Sequence, residues 1–302
     1  MQKFYSSGKL LLTGEYVVLD GALSLAVPSK FGQYLQVEST ETSGVLWKSY
    51  DVDANLWFED LFTFQEISTG FSSRKNPTSL RLLKILHTAK QLNPAFLNSE
   101  QGYKITTHLD FPNNWGLGTS STLINNIANW ALVDAYKLLE KTFGGSGYDI
   151  ACARSKTVIT YQLNNNNRTV KPITYNPDFK DQLYFVHLNK KQNSRDGIAL
   201  YHKNKVKATV AIPKINAITN KIITCTSLDE FDVLLMQHEQ IISEIINVKP
   251  VKEQLFSDFK GSVKSLGAWG GDFVLVTAKT NPTTYFKNKG FNTVLKYKEM
   301  LL

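Results

Sequence analysis

Apolar positions along this chain change their period several times, and each change marks an element. The opening, from "KFYSSGKLLLTGEYVVLD" to "YLQVES", carries short apolar runs and alternation broken by glycines, which predicts strands. Leucines and isoleucine recur at helical spacing in "TSLRLLKILHTAKQL", so a helix is predicted from about Thr78 to Leu92. "YKITTHLDF" alternates as a strand does. A second helix is predicted from about Ser120 to Ala131, and Asp134 is placed to cap a third, "AYKLLEKTF". "TVITYQLNNNNRTVKPITY" predicts two strands joined by an asparagine-rich turn. Near Pro177 the chain changes character, which divides it into residues 1–176 and 177–302. Beyond that point come a strand, "DQLYFVHL", and a long amphipathic helix, "LDEFDVLLMQHEQIISEIINV", capped by Ser227 or Asp229. A glycine-broken segment, "SVKSLGAWGGDFVLVTA", then runs into a strand, and the tail predicts a short helix, a glycine stop and a final strand. Strand-helix-strand-strand-helix-strand order makes the second half an α+β sandwich.

Composition adds bounds. A chain of 302 residues is long enough for two domains. The longest apolar runs, such as "FVLVTA", are far too short to cross a bilayer. The first residues lack the long apolar segment of a signal peptide, so a cytoplasmic protein is expected. Cys152 and Cys225 are far apart with no metal-ligand spacing, and both are expected reduced and buried. The formal charge is +8, but lysine and arginine are spread along the chain. A basic balance suits nucleic acid and a small polyanionic substrate equally well. No nucleic-acid motif or basic stripe accompanies it, so neither nucleic acid nor membrane is expected as a partner.

The chemistry concentrates in four stretches. In "FPNNWGLGTSST", Phe111 to Thr122, Pro112 forces a turn, and Gly116 and Gly118 permit backbone angles closed to other residues. The loop delivers Thr119, Ser120 and Ser121 to the first turn of a helix. Free N–H groups and the positive dipole end lie there, suited to phosphate oxygens. The same residues also fit an ordinary hydroxyl cap after a loop, and the segment is not a Walker sequence, because no lysine follows the second glycine. In "SSGKLLLTGEYVVLDG", Lys9 stands on an edge strand with Glu15 six residues on, a pair that alone fits a solvated face. "FGGSGYDIA" presents Asp149 on a glycine-constrained loop, and "KSLGAWGGDFVLV" places a glycine cluster before a strand, where a bulge or turn is the simpler account.

In order and company these stretches resemble the signature set of the GHMP kinase superfamily, which includes galactokinase, homoserine kinase, mevalonate kinase and phosphomevalonate kinase. Gly8-Lys9 with Gly14-Glu15-Tyr16 is similar to the first motif. Pro112 to Ser120 is similar to Pro-x-x-x-Gly-Leu-Gly-Ser-Ser, with Thr119 replacing the first serine. Ser146, Gly147, Tyr148 and Asp149 match the Ser-Gly-x-Asp loop. Gly267, Ala268, Trp269, Gly270 and Gly271 stand for the Gly-Ala-Gly-Gly-Gly run, with Trp269 in place of a glycine. Tyrosine after Glu15, and Asp272 after the last glycines, resemble the phosphomevalonate kinase form. "NKKQNSRDGIALY" lies where those enzymes carry a substrate-facing loop; Lys190, Lys191, Ser194 and Arg195 would suit a phosphorylated acid, although a charged surface turn fits as well.

The resemblance implies a two-domain α+β fold, with an N-terminal ribosomal-protein-S5-like α/β domain and a C-terminal ferredoxin-like α+β domain. It implies ATP and Mg2+ as cofactors and phosphoryl transfer to a small phosphorylated or carboxylic acid, phosphomevalonate first, by a monomer or homodimer. Gly116, Leu117, Gly118, Thr119, Ser120 and Ser121 would hold the ATP phosphates, with Ser120 on the magnesium side. Asp149 would orient or deprotonate the acceptor, and Lys9 would offset negative charge and keep Asp149 ionised. Glu15, Ser146 and Gly147 would face the substrate, and Gly267, Ala268, Gly270, Gly271 and Asp272 would pack beside nucleotide and acceptor. Mevalonate kinase, another small-molecule kinase of the superfamily, a diphosphomevalonate decarboxylase and a catalytically silent binding relative are the alternatives. Lys9 favours a kinase over a decarboxylase, and Lys9, Ser120 and Asp149 together disfavour a silent relative.

Overall fold

A computed structural model of the chain describes residues 1–98, 101–165, 167–190 and 194–302. In order, the elements are β1 (Gln2–Thr13), β2 (Ser24–Thr40), β3 (Val45–Tyr50), β4 (Leu56–Phe62), α1 (Phe64–Thr69), α2 (Pro77–Leu92), β5 (Gly102–Leu109), α3 (Thr119–Ala131), α4 (Ala135–Thr142) and α5 (Tyr148–Arg154). There follow β6 (Ile159–Asn164), β7 (Asn167–Pro172), β8 (Leu183–His187), α6 (Ser194–Lys203), α7 (Lys205–Thr224), α8 (Leu228–Ile246) and α9 (Val251–Leu255). The chain ends with β9 (Val263–Ser265), β10 (Phe273–Thr277), α10 (Thr283–Asn288), β11 (Val294–Lys296) and α11 (Tyr297–Met300). Two compact units result: Met1–Gly8, Phe31–Asn113 and Leu117–Arg154 form the first, and Lys9–Lys30, Asn114–Gly116 and Ser155–Leu302 the second.

In the first unit, the later part of β2 pairs antiparallel with β5, β5 pairs parallel with β3, and β3 pairs antiparallel with β4. Alternation decides which side chains go inward: Val45 and Trp47 of β3 are buried while Leu46 and Lys48 are only partly so. Those inward residues share a core with Leu82, Leu83 and Leu86 of α2, Ile124 and Ile127 of α3, and Leu138 of α4. Each buried aliphatic side chain contributes about 1.5–3 kcal/mol of transfer free energy. Three helix starts in this unit are capped by side chains: Thr63 closes a capping box on α1, Asn76 accepts from Thr78 and Ser79 at α2, and Asp134 accepts from Tyr136 and Lys137 at α4.

In the second unit, Ser24–Ala26 of β2 pair with β6, and β6 pairs antiparallel with β7. A four-stranded antiparallel sheet has the order β11-β8-β10-β9. Phe256 and Phe286 pack with Val186, Val274 and Val276 of that sheet. The helices α7 and α8 form a hairpin closed by a short loop, and Ser227 caps α8 by accepting from Glu230. Ala208, Ala211 and Ile215 of α7 share a core with Ile242, Ile245, Tyr16 and Trp269.

The helices expected at Thr78–Leu92 and Ser120–Ala131, the Asp134 cap and the β6–β7 pair are all present. Other elements depart from expectation. The first strand ends at Thr13; Gly14 and Tyr16 take positive φ, and Val17–Asp20 form a short 3-10 helix. The segment expected as a substrate-facing loop is helical from Ser194 onward, and Lys191 lies outside the described residues. The long helix α7 had no counterpart in the expected order. Its many β-branched residues and Pro213 are weak helix formers, and burial of Ala208, Ala211, Ile215, Ile218 and Ile222 on one face sustains it. Both cysteines are free and buried, as expected. No helix among the described residues is long and apolar enough to cross a membrane.

Candidate functional site

The glycine loop meets α3 at Gly118, which has φ 92° and supplies no side-chain cap. In the helix, Thr122 N–H reaches the Gly118 carbonyl, while the N–H groups of Thr119, Ser120 and Ser121 have no acceptor among the described residues. Ser121 is buried and its hydroxyl donates to the Gly118 carbonyl at 2.8 Å, which leaves the exposed Ser120 hydroxyl pointing to solvent. Three bare amides and the positive end of a thirteen-residue helix dipole therefore stand together beside the exposed Ser120.

A buried polar network holds this helix in place. Ser6 donates to the Asn126 side-chain amide oxygen at 2.7 Å, and the Asn125 side chain donates to the Ser6 hydroxyl at 2.8 Å. Asn126 also donates to the Gln33 backbone carbonyl and Thr122 to the Gln33 side chain, both at 2.8 Å. Paired amides and hydroxyls inside a core fix one register where apolar contacts would tolerate sliding. The helix α5 packs against α3, and Asp149, half-buried, occupies its first turn instead of the loop position expected for it. Ser146 and Gly147 are buried just before it, and the Gly147 carbonyl accepts from Ile150 and Ala151.

The second unit gathers four predicted residues from distant points of the chain. Lys9, in β1, directs its ammonium to the Gly116 carbonyl at 3.3 Å. Gly116 has φ +69°, and a β-carbon there would collide with the Asp272 carboxylate, so the loop's first glycine is needed for both angle and space. Asp272 itself takes φ 54°; its N–H donates to the Lys190 carbonyl at 2.7 Å and its carbonyl accepts from Leu188. The Lys190 side chain is exposed. Gly267 and Gly270 also have positive φ, while Ala268 and Gly271 are buried. Ser194 and Arg195 begin α6, and their side chains lie outside the described residues.

Two anchoring residues here were not singled out from the sequence. Trp115 stacks edge-on against Phe273 at 5.3 Å, and His187 donates through Nε2 to the Asn114 carbonyl at 3.1 Å. Burial holds the His187 imidazole below its ordinary pKa, opposed by that hydrogen bond and by Asp272. The "NNW" before the glycines was the available signal, since an exposed loop rarely carries a tryptophan without a place to bury it.

Glu15 does not face an open surface. It is 1% exposed, its carboxylate is paired with the fully buried Lys264, and His238 lies 3.4 Å away. His238 Nε2 accepts the Gly14 N–H at 2.9 Å, so the ring is neutral with its proton on Nδ1. Burial drives the His238 pKa well below its ordinary value, and Lys264 adds to that. Next to it Glu239 accepts from the Ser265 N–H at 3.1 Å and from the Ser265 hydroxyl at 2.7 Å. Burial pushes Glu239 up to about 7, and it pushes Glu15 up as well, opposed in both by Lys264. The substrate contact expected of Glu15 is thus replaced by a buried ion pair. Tyr16 belongs to the same region: its hydroxyl accepts the Trp269 backbone N–H at 3.2 Å, so two of the residues in which these motifs depart from the commoner family pattern hold each other.

No protein-family model matches the sequence, and no curated protein matches it significantly. Solved structures do. The Methanococcus jannaschii mevalonate kinase aligns with TM-score 0.72 at 15% identity, over 97% of this chain and 96% of that one. The chain has the GHMP kinase fold. The Streptococcus pneumoniae phosphomevalonate kinase, in complex with phosphomevalonate and AMPPNP, aligns with TM-score 0.70 at 13% identity, over 98% of this chain and 100% of that one. The Lactococcus lactis galactokinase complexed with galactose has TM-score 0.69 at 12% identity, covering 95% of this chain and 88% of that one. The GHMP kinase fold accounts for both sheets and for helices beside each, as the four motifs implied.

Proposed function

We propose that the protein is a small-molecule kinase that transfers the ATP γ-phosphoryl group to a small acidic metabolite, phosphomevalonate being the favoured acceptor. The observation that carries this reading is the start of α3: a glycine-led helix with three amides lacking acceptors and an exposed serine hydroxyl. Gly116 to Ser121 would receive the nucleotide phosphates on backbone N–H groups. Mg2+ takes most of its ligands from phosphate and water, so one hydroxyl such as Ser120 suits it, and no cluster of three carboxylate, histidine or cysteine ligands occurs among the described residues. When bound, the ion would neutralise charge on the phosphates.

Asp149, half-buried at a helix start, would place the acceptor oxygen. If that oxygen is a phosphate, it is already ionised near neutral pH and Asp149 acts by orientation; if a hydroxyl, Asp149 takes its proton. Lys9 would offset negative charge at the loop's first glycine. Lys190 and Arg195 would meet the acid group of the acceptor, with Ser194, Ser146 and Gly147 shaping its site, and Gly267, Ala268, Gly270, Gly271 and Asp272 would lie along nucleotide and acceptor. In this reading residues 1–176 form the ATP-binding domain and 177–302 the second domain, in a cytoplasmic protein.

The test is release of ADP from ATP and Mg2+ with phosphomevalonate, mevalonate, homoserine and galactose in parallel. Phosphomevalonate is expected to give the highest kcat/KM. Preference for mevalonate or galactose would move the assignment within the kinases, and no acceptor-dependent ADP with any of them would reject it.

A further inference from the structure

The helices α7 and α8 divide charge between them completely. The α7 sequence, "KVKATVAIPKINAITNKIIT", contains Lys205, Lys207, Lys214 and Lys221 and no acid. The α8 sequence, "LDEFDVLLMQHEQIISEII", contains no lysine or arginine; Glu239 is buried against Ser265, and Asp229, Glu230 and Glu244 are the helix's exposed acids. The exposed face of this hairpin also carries an apolar strip. On α7, Val206 is 82% and Val210 67% exposed, and Pro213 and Ala217 continue the same line at helical spacing. On α8, Val233 is 46% and Met236 49% exposed. Between the helices lies a groove of about 790 Å³, floored by Ile218, Leu235 and Val263, with Lys214, Lys221 and Glu244 at its rim. Lys207, Lys214 and Lys221 have no hydrogen-bond or ion-pair partner among the described residues.

We propose that this face is where two copies of the chain pair. A contiguous apolar strip on an isolated surface marks an interaction site, and the charge division says which partner fits. A closed dimer uses one patch twice, so the patch must complement itself. A two-fold axis running along the hairpin lays each α7 over the partner copy's α8, basic helix on acidic helix in both halves, with the helix dipoles antiparallel. An axis across the hairpin would set like on like. The valines of α7 and Met236 supply the dehydrated centre, and the groove gives the other copy's side chains somewhere to enter. This pairing does not depend on the proposed activity.

The test uses the full chain and two variants. One carries Lys207→Glu, Lys214→Glu and Lys221→Glu; the other carries Gln240→Lys and Glu244→Lys. All the changed side chains are exposed, and circular dichroism and Tm check that both variants fold. Sedimentation velocity should find the unaltered chain dimeric and each variant monomeric, because each variant homodimer would face like charge with like. Mixed in equal amounts, the two variants should recover the dimer, since each meets the charge it lacks. A monomeric unaltered chain, dimers of either variant alone, or a mixture that stays monomeric would overturn the proposal. Vesicles of phosphatidylserine and phosphatidylcholine test the other occupant of a basic, apolar helix. Co-sedimentation of a monomeric chain with them would make this a lipid-facing surface and reject the dimer.

Discussion

The start of α3 and the surroundings of Glu15 both grow from glycine-bearing motifs, and the fold treats them in opposite ways. At α3 the chain leaves three amides without acceptors and Ser120 in solvent. Around Glu15 it closes an ion pair and a histidine away from solvent, with an acid–serine pair beside them. Polar groups left open at a helix start are cheap to keep hydrated and ready for an anion. Polar groups sealed inside must satisfy one another, because an unpaired buried charge costs several kcal/mol. Under the proposed function the contrast would separate binding from scaffolding: changes at the first region should move catalysis, and changes at the second should move stability.

The largest expected effect is on turnover. Asp149→Asn should lower kcat by roughly 10²–10⁴-fold if proton transfer matters, with the unfolding midpoint preserved; a variant with unaltered turnover would remove Asp149 from the chemistry. Next is Lys264→Met, which leaves Glu15 buried without its cation and should cost about 3–5 kcal/mol in urea unfolding. Adding Glu15→Gln should recover part of that loss. A loss well under 1 kcal/mol in the single variant would show that the pair is not structural. Third, Ser120→Ala should reduce kcat/KM by roughly 10–100-fold, the range for losing a hydrogen bond to a charged group, with stability within about 0.5 kcal/mol. If unfolding shifts and kinetics do not, the serine is a helix cap and the open site loses its support.

The smallest effect is a pair of opposed pH slopes in the sealed region. Glu239 is raised to about 7, so between its ordinary carboxylate value and about 7 the folded chain binds more protons, and this contribution to stability falls as pH rises. Glu15, also raised, acts in the same sense. His238 is lowered, so below its ordinary value the unfolded chain binds more protons, and its contribution falls as pH falls. Glu239→Gln should therefore make stability, relative to the unaltered chain, more sensitive to acid, and His238→Gln less so. Chemical unfolding across mildly acidic to neutral pH reads both, and parallel curves for all three proteins would mean that these groups are hydrated.

Much of the scaffold could be read from local pattern. Leu82, Leu83 and Leu86 fall on one helical face, Asp134 precedes a helical run, and the asparagines sit between two alternating segments, so each element follows from its neighbours in sequence. The helix α7 was legible in principle through Ala208, Ala211, Ile215, Ile218 and Ile222, but Pro213 and β-branched residues obscured it. Asp149 stood out in the sequence as a candidate, but its place at a helix start did not, because glycines before it resemble a loop until α5 packs on α3.

By itself the sequence determined periodicity, turns and the motif spacings that imply the GHMP kinase fold. Tertiary structure alone decided which charges face water. Lys9 and Lys264 both stand in strands beside a motif glycine, yet Lys9 reaches the Gly116 carbonyl while Lys264 is sealed against Glu15, 249 residues away in sequence. Alternation and helical period come from bonds between near neighbours, so a short window contains them. The burial of a charge is set by partners brought in from anywhere in the chain, and no window along the sequence contains those.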